Sequence, residues 1–177
     1  MTPMQPEQAT FLLNLLLPQI KNEQKITKKV IEAVPGDKGD YQPDPRSMSA
    51  LDLAWHLAAS ECFFMDGVSS GAFAPGGQRP EGVRSSADVA NWYAEHFPKS
   101  FERVSQLGPE QLLQTINFHN VFEFPAIVYL QLMTSHSIHH RGQLSAYLRP
   151  MGAKVPAIYG GSADEPIAPP QKTQATS

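Results

Sequence analysis

The sequence contains very little cysteine: Cys62 is the only one among 177 residues. A single cysteine excludes an intrachain disulfide and is typical of proteins that work in a reducing compartment, so we expect a cytoplasmic protein. Cys62 falls within a predicted helix and has apolar neighbours. We therefore expect a packed thiol rather than a nucleophile.

The sequence also lacks an excess of positive charge and a long hydrophobic run. It has 14 Lys and Arg against 17 Asp and Glu, which gives a net charge of −3 at pH 7. Proteins that bind nucleic acid normally present a basic surface to the phosphates, and a membrane-spanning helix needs about 20 apolar residues in succession. The sequence has neither feature, so we expect a small-molecule substrate and no nucleic-acid or membrane partner.

Apolar residues recur at helical intervals in four segments, and turn-forming residues separate these segments. The predicted helices span residues 7–34, 49–67, 86–107 and 125–149. Residues 109–124 are ambiguous and include a possible short extended connection. Four amphipathic helices in a chain of this length predict an all-α fold, a four-helix bundle. We expect one domain over residues 1–165, followed by a disordered tail over residues 166–177.

The segment SHSIHHRGQL (135–144) places three histidines within five residues. On a helix, His136 and His140 lie about 40° apart in the middle of an apolar face, whereas His139 lies at the edge of that face. Each buried imidazole needs a polar partner, and two on one line compete for the same partners. A shared metal ion satisfies both, although two separately packed histidines are an equally good interpretation of this pair alone.

A third candidate ligand, His56, lies on the predicted inner face of the second helix. Three imidazoles with an open fourth position form the pattern of catalytic zinc sites and related divalent sites. Asp52, one turn before His56, has two interpretations. It either orients the His56 ring or stabilises the start of its own helix, and we favour the second.

Three segments of the chain resemble the DinB/YfiT-like family of four-helix-bundle metalloenzymes. They are AVPGDKGDYQPDPRSMSALDLAWHLAASE (33–61), HSIHHRGQLSAYLRPMG (136–152) and VPAIYGGSADE (155–165). The resemblance implies that one histidine of the second helix and the first and last histidines of the final motif hold the metal. In this chain these residues are His56, His136 and His140. The resemblance also implies nickel or zinc as the metal, a low-molecular-weight thiol as co-substrate and a homodimer as the assembly.

The catalytic acid or base is unknown from the sequence, and the candidates are Tyr129, Gln143 and Glu23. Tyr129 and Gln143 share the face of the two histidines, although core packing is the favoured interpretation for the tyrosine. Glu23 is a candidate because the family often carries an acid there. We expect Glu61 to face outward or toward the partner subunit of a dimer. We expect Arg141 to point off the histidine face and to pair with an acid on a neighbouring helix or subunit.

Two classes of function fit this pattern. The first is a metal-dependent enzyme, either a transferase that uses a small thiol or a hydrolase that uses metal-bound hydroxide. The alternative is a non-catalytic bundle that binds a metal or a small ligand. A carboxylate or tyrosine on the open side of the metal would favour the enzyme.

Overall fold

The computed structural model describes residues 4–167, and most of these residues belong to four long helices. In chain order the elements are α1 (Pro6–Glu32), α2 (Ala50–Ser70), α3 (Ser86–Ser105), a short α4 (Pro109–Leu113), β1 (Thr115–Phe118), β2 (Phe122–Pro125) and α5 (Ala126–Leu148). The long helices begin and end within three residues of the predicted bounds. The prediction of an all-α fold is confirmed.

Local sequence signals explain where α2 and α3 begin. The Ser49 hydroxyl accepts a hydrogen bond from the Asp52 backbone N–H at 3.1 Å. Ser85 and Asp88 form a reciprocal capping box at the start of α3. Such caps satisfy backbone N–H groups that have no partner within the helix. Helix α2 ends at Gly71, whose φ of +75° is a left-handed conformation that glycine adopts at little cost.

The ambiguous segment before α5 is a short helix followed by a β-hairpin. Strands β1 and β2 pair antiparallel, with Thr115 opposite Pro125. The turn between them places His119 and Asn120 at positive φ, and the Asn120 backbone N–H donates to the Asn117 side chain at 2.7 Å. The hairpin returns the chain to the bundle at the start of α5.

The contacts between long helices define their order around the bundle. Helix α2 packs mainly against α3 and α5, and α1 packs mainly against the same two helices. Helices α1 and α2 are therefore diagonal, and the hydrophobic core fills the space between the four. Helix α5 consequently has two buried faces, one toward α2 and one toward α1. None of the helices within residues 4–167 is long and apolar enough to cross a membrane.

The segment after α5 packs back onto the bundle through ion pairs. Arg149 pairs with Asp164 at 2.7 Å, and Lys29 of α1 pairs with Glu165 at 2.5 Å. The prediction of one domain over residues 1–165 stays a prediction. Most of the predicted disordered tail, residues 168–177, lies outside the described residues.

Candidate metal centre

The structure brings together three histidines from two neighbouring helices. His56 comes from α2, and His136 and His140 come from α5. One ring nitrogen from each lies within 4.8 Å of the others. The closest approach is between Nε2 of His56 and Nε2 of His136, at 3.1 Å. These are the three residues that the sequence pattern and the family resemblance selected.

This spacing fits a tetrahedral metal site. With Zn–N bonds of 2.0–2.1 Å, two ligand nitrogens of a tetrahedron lie about 3.3–3.4 Å apart. The observed separation between His56 and His136 is close to that value. Three imidazoles leave a fourth position open, as catalytic sites do. The donor set therefore fits a divalent metal ion.

Hydrogen bonds at Nδ1 fix which nitrogen of each α5 histidine faces the centre. Nδ1–H of His140 donates to Oε1 of Gln143 at 3.0 Å, and the Gln143 amide donates to the Tyr147 hydroxyl at 3.2 Å. The Ser60 hydroxyl donates to the His56 carbonyl at 2.6 Å, so it can accept from Nδ1–H of His136 at 3.5 Å. Both contacts leave the histidine Nε2 free to ligate, and partners of this kind orient metal ligands.

The electrostatics of the cluster favour the neutral form of His56 and His136. Burial and the neighbouring charge of His140 lower the pKa of His56. Burial lowers the pKa of His136 to about 4, and the three neighbouring histidines add to this effect. Because a metal binds the neutral imidazole, these two rings are in their ligating form at neutral pH.

The three histidines are only half-buried. They were expected in the middle of the inward apolar face, and that expectation is wrong in detail. The side chains line the junction of α2 and α5, at the edge of the core. His139, expected at the edge of the face, is exposed. A metal at this position is reachable from solvent.

The candidate Tyr129 is occupied elsewhere. Its hydroxyl donates to the Ile116 carbonyl at 2.7 Å and accepts from the Phe124 backbone N–H at 3.2 Å. Tyr129 is fully buried and ties the hairpin to α5. Core packing, the favoured interpretation, is what the structure shows.

Glu23 is also engaged, as the partner of Arg141. The buried Arg141 guanidinium forms an ion pair with the Glu23 carboxylate and donates to the Thr27 hydroxyl at 3.0 Å. The Tyr159 hydroxyl donates to the same carboxylate at 2.7 Å. Arg141 does pair with an acid on a neighbouring helix, as predicted. It also points off the histidine face, as predicted, and it is buried there because α5 packs a second face against α1.

The prediction that Glu61 faces outward is wrong. Its side chain is buried in the bundle, where its carboxyl group accepts hydrogen bonds from the Thr27 and Tyr93 hydroxyls. Burial raises the pKa of Glu61, against the opposing effect of these hydrogen bonds and of the Arg141 charge. The helical-wheel argument failed here because α2 also buries more than one face. Glu61 thus belongs to a buried polar network and not to a surface.

Asp52 does not contact His56 by a hydrogen bond. Its carboxylate accepts from the Ser49 hydroxyl at 2.7 Å and from Arg79 at 3.1 Å. The helix-start interpretation is therefore the right one. Sequence reasoning did not identify Ser60 as a partner of His136. Ser60 lies four residues after His56 and therefore on the same face of α2, and this spacing could have identified it.

Residues 5–172 match a protein-family model whose description is the DinB family. The chain belongs to the DinB family. It is 30% identical over 142 residues to the uncharacterized protein YjoA of Bacillus subtilis strain 168, covering 78% of this chain and 90% of YjoA. The resemblance inferred from the sequence is confirmed.

Two crystal structures of DinB-like proteins share the fold. The structure of B. subtilis YjoA matches with a TM-score of 0.68 at 28% identity, over 81% of this chain and 96% of that chain. A DinB-like protein from Bacillus cereus ATCC 10987 matches with a TM-score of 0.69 at 22% identity, over 81% of this chain and 95% of that chain. The second likeness speaks for the fold alone.

Proposed function

We propose that this DinB-family protein binds one divalent metal ion, nickel or zinc, on His56, His136 and His140 and acts as a metal-dependent thiol transferase. The observation that carries the proposal is the convergence of three ring nitrogens within 4.8 Å. Neutral imidazoles suit both metals, so the ligand set does not choose between them.

The chain's own residues hold the site in a ligating state. Gln143 accepts the proton of Nδ1 of His140, and Ser60 can accept that of His136 at 3.5 Å, which leaves Nε2 of each ring available to the centre. A divalent ion with an open position lowers the pKa of a bound thiol or water, which supplies a nucleophile at neutral pH.

The surroundings favour thiol transfer over hydrolysis. A hydrolase gains from a positioned acid or base that serves the leaving group. Two of the candidates, Glu23 and Tyr129, hydrogen-bond elsewhere, to Arg141 and to the hairpin, and the buried Glu61 carboxyl group hydrogen-bonds to Tyr93. A thiol activated by a metal on the three histidines would need no such residue to attack an electrophile. Of the two enzyme classes, thiol transfer therefore requires fewer catalytic groups from the described side chains. The same engagement of the acidic groups also fits the alternative, a non-catalytic metal-binding protein.

The test is an activity screen on tag-free protein loaded separately with zinc and nickel. Several small thiols are combined with 1-chloro-2,4-dinitrobenzene; the S–C bond forms as the C–Cl bond breaks, and chloride and a proton are released. We expect metal-dependent thioether formation that is lost in His140→Ala and kept in His139→Ala, a matched control one residue away. Hydrolysis of an ester without thiol consumption would favour the hydrolase. Stoichiometric metal with neither reaction would favour a non-catalytic binding protein.

We also propose an assembly and a compartment for the protein. The family resemblance supports a homodimer, and the single cysteine supports a cytoplasmic location. Sedimentation equilibrium tests the first, with twice the chain mass of 19.5 kDa expected. A mass that stays at one chain at all concentrations would contradict it.

A further inference from the structure

A cavity of about 610 Å³ lies along α2 beside the metal centre. Helix α2 contributes one side, Trp92 of α3 another, and the loop over residues 76–80 a third. His56 and Ser60 line one edge. Since His56 is a proposed ligand and Ser60 contacts His136, this edge adjoins the metal centre.

We infer that this cavity binds the uncharged, ring-bearing body of the substrate while the metal holds its reacting group. The part of this inference that concerns the metal rests on the proposed function. The part that concerns binding of a neutral aromatic group rests on the lining of the cavity alone.

The cavity is lined by aromatic side chains and by one methionine. Trp55 and Trp92 meet edge to face, with their ring centres 4.6 Å apart, and Phe63 and Met48 add further apolar surface. Aromatic rings present large, flat contact areas to other rings. Met48 is exposed and unbranched, so it can adjust to ligands of different shape. This lining matches a planar apolar group.

The charges around the cavity are already paired. Asp52 accepts from Arg79 at 3.1 Å, and Asp66 accepts from Arg103 at 2.5 Å. A charged ligand would lose hydration on entering; an anion would meet these two carboxylates, and a cation would compete with the arginines already paired to them. The cavity therefore discriminates against anions and cations alike.

Small residues in the lining leave the volume of the cavity open. Ala59 lies between Trp55 and Phe63 on α2, and Gly76 and Gly77 form part of the loop. A Cβ atom at either glycine would meet nothing within 4 Å. The volume lies within the range of roughly 300–1,000 Å³ that is usual for small-molecule sites. A larger side chain at Ala59 should fill the cavity without touching the ligand nitrogens.

The test uses intrinsic fluorescence, because the only two tryptophans of the chain, Trp55 and Trp92, both line the cavity. Full-length protein, metal-free and zinc-loaded, is titrated with three probes of one shape: 4-nitrobenzyl alcohol, 4-nitrobenzoate and 4-nitrobenzylammonium. We expect saturable quenching by the alcohol in both forms and, in the metal-free protein, a Kd about tenfold or more below those of the two ions. Equal or tighter binding of either ion by the metal-free protein would overturn the inference.

Two variants separate the cavity from the metal site. Ala59→Leu should weaken binding of the alcohol about tenfold or more and leave zinc stoichiometry unchanged. Ala94→Leu, which adds a leucine at an exposed position of α3, should alter neither. Unchanged binding of the alcohol by Ala59→Leu would contradict the assignment of the cavity. If the wild type binds no zinc, the proposed function is contradicted, but the measured binding of the alcohol in the cavity still holds.

The link to the metal is tested with cobalt-loaded protein and benzyl mercaptan. We expect the thiol to change the visible absorption of the cobalt centre, with half-saturation about tenfold higher in Ala59→Leu than in the wild type. The Ala94→Leu control should match the wild type. The same half-saturation in all three proteins would show that a ring bound to the metal does not enter the cavity, and would overturn the link.

Discussion

Nε2 of His56 lies 3.1 Å from Nε2 of His136, although 80 residues separate them in the chain. At this distance one of the two nitrogens can carry a proton and donate it to the other. The lowered pKa values of both rings disfavour a second proton between them. Nε2 of His140 is left as an acceptor by the bond that its Nδ1–H makes to Gln143. A divalent ion satisfies all three nitrogens at once.

Gln143 should tune metal affinity without ligating the metal. Replacing it by alanine removes the acceptor for Nδ1–H of His140 and frees the ring to rotate. We expect Gln143→Ala to weaken zinc binding about ten- to hundredfold, the usual cost of losing such a partner. Competition with a chromogenic chelator measures the affinity.

The matched control is Gln131→Ala, an exposed glutamine on the same helix. It should bind zinc as the wild type does. An affinity of Gln143→Ala equal to that of Gln131→Ala would show that the contact to His140 has no effect on the metal.

Arg141 should contribute strongly to stability. Its guanidinium is 1% exposed and pairs with Glu23, whose side chain is 10% exposed. Removing one partner leaves a buried charge uncompensated, so Arg141→Met should lower the free energy of unfolding by about 3–5 kcal/mol. Urea denaturation of the metal-free protein measures the loss.

Two further variants show whether the pairing causes this loss. Arg141→Met combined with Glu23→Leu should be more stable than Arg141→Met alone, since no charge is then left unpaired. Lys99→Ala, which breaks an exposed pair with Glu95, should leave the free energy of unfolding close to that of the wild type. Additive losses in the double variant would count against a coupled buried pair.

The stability of the protein should depend on the ionisation of Glu61. Burial raises its pKa in the folded state above the ordinary value of 4.5, so the folded protein binds this proton more tightly than the unfolded chain does. The stabilising effect is complete below pH 4.5 and is lost as the pH rises through the folded-state pKa.

Glu61→Gln removes this titration while keeping an acceptor for Thr27. We expect the free energy of unfolding of the wild type, minus that of Glu61→Gln, to fall as the pH rises above 4.5. Urea denaturation across pH 4 to 8 measures both proteins. A difference that grows with pH would mean that Arg141 outweighs burial and holds the carboxylate ionised.

Cys62 should be unreactive in the folded protein. Burial, followed by the nearby charges of Glu61 and Asp66, raises the pKa of its thiol to about 12, so the thiol stays protonated near pH 8. We expect no reaction with 5,5′-dithiobis(2-nitrobenzoate) before unfolding and one thiol per chain in denaturant. Rapid labelling of the folded chain would contradict this burial.

The sequence predicted the long helices and the three histidines because both follow from local spacing. Helical periodicity located each helix within three residues. The same periodicity put His136 and His140 on one line and His56 on the inner face of α2, and the family resemblance selected the same three residues. These features depend on neighbours in the chain and so can be read without the fold.

Sequence reasoning missed the burial of several polar residues, because their burial depends on which helices pack together. A helical wheel assumes one buried face, but α5 contacts both α1 and α2, so Arg141 is buried opposite the histidines. Glu61 is buried for a similar reason. Tyr159, after α5, reaches Glu23 only because the last described segment packs back onto α1. Such contacts follow from the packing order of the bundle, which periodicity does not specify.

The metal content of the protein tests the central claim most directly. Wild type, His56→Ala and the control His139→Ala are purified without an affinity tag, because a nickel column would load the site. They are then equilibrated with zinc, desalted and measured by elemental analysis. We predict about one zinc per chain in wild type and His139→Ala, and less than about 0.1 in His56→Ala. Full zinc stoichiometry in folded His56→Ala would contradict the three-histidine centre.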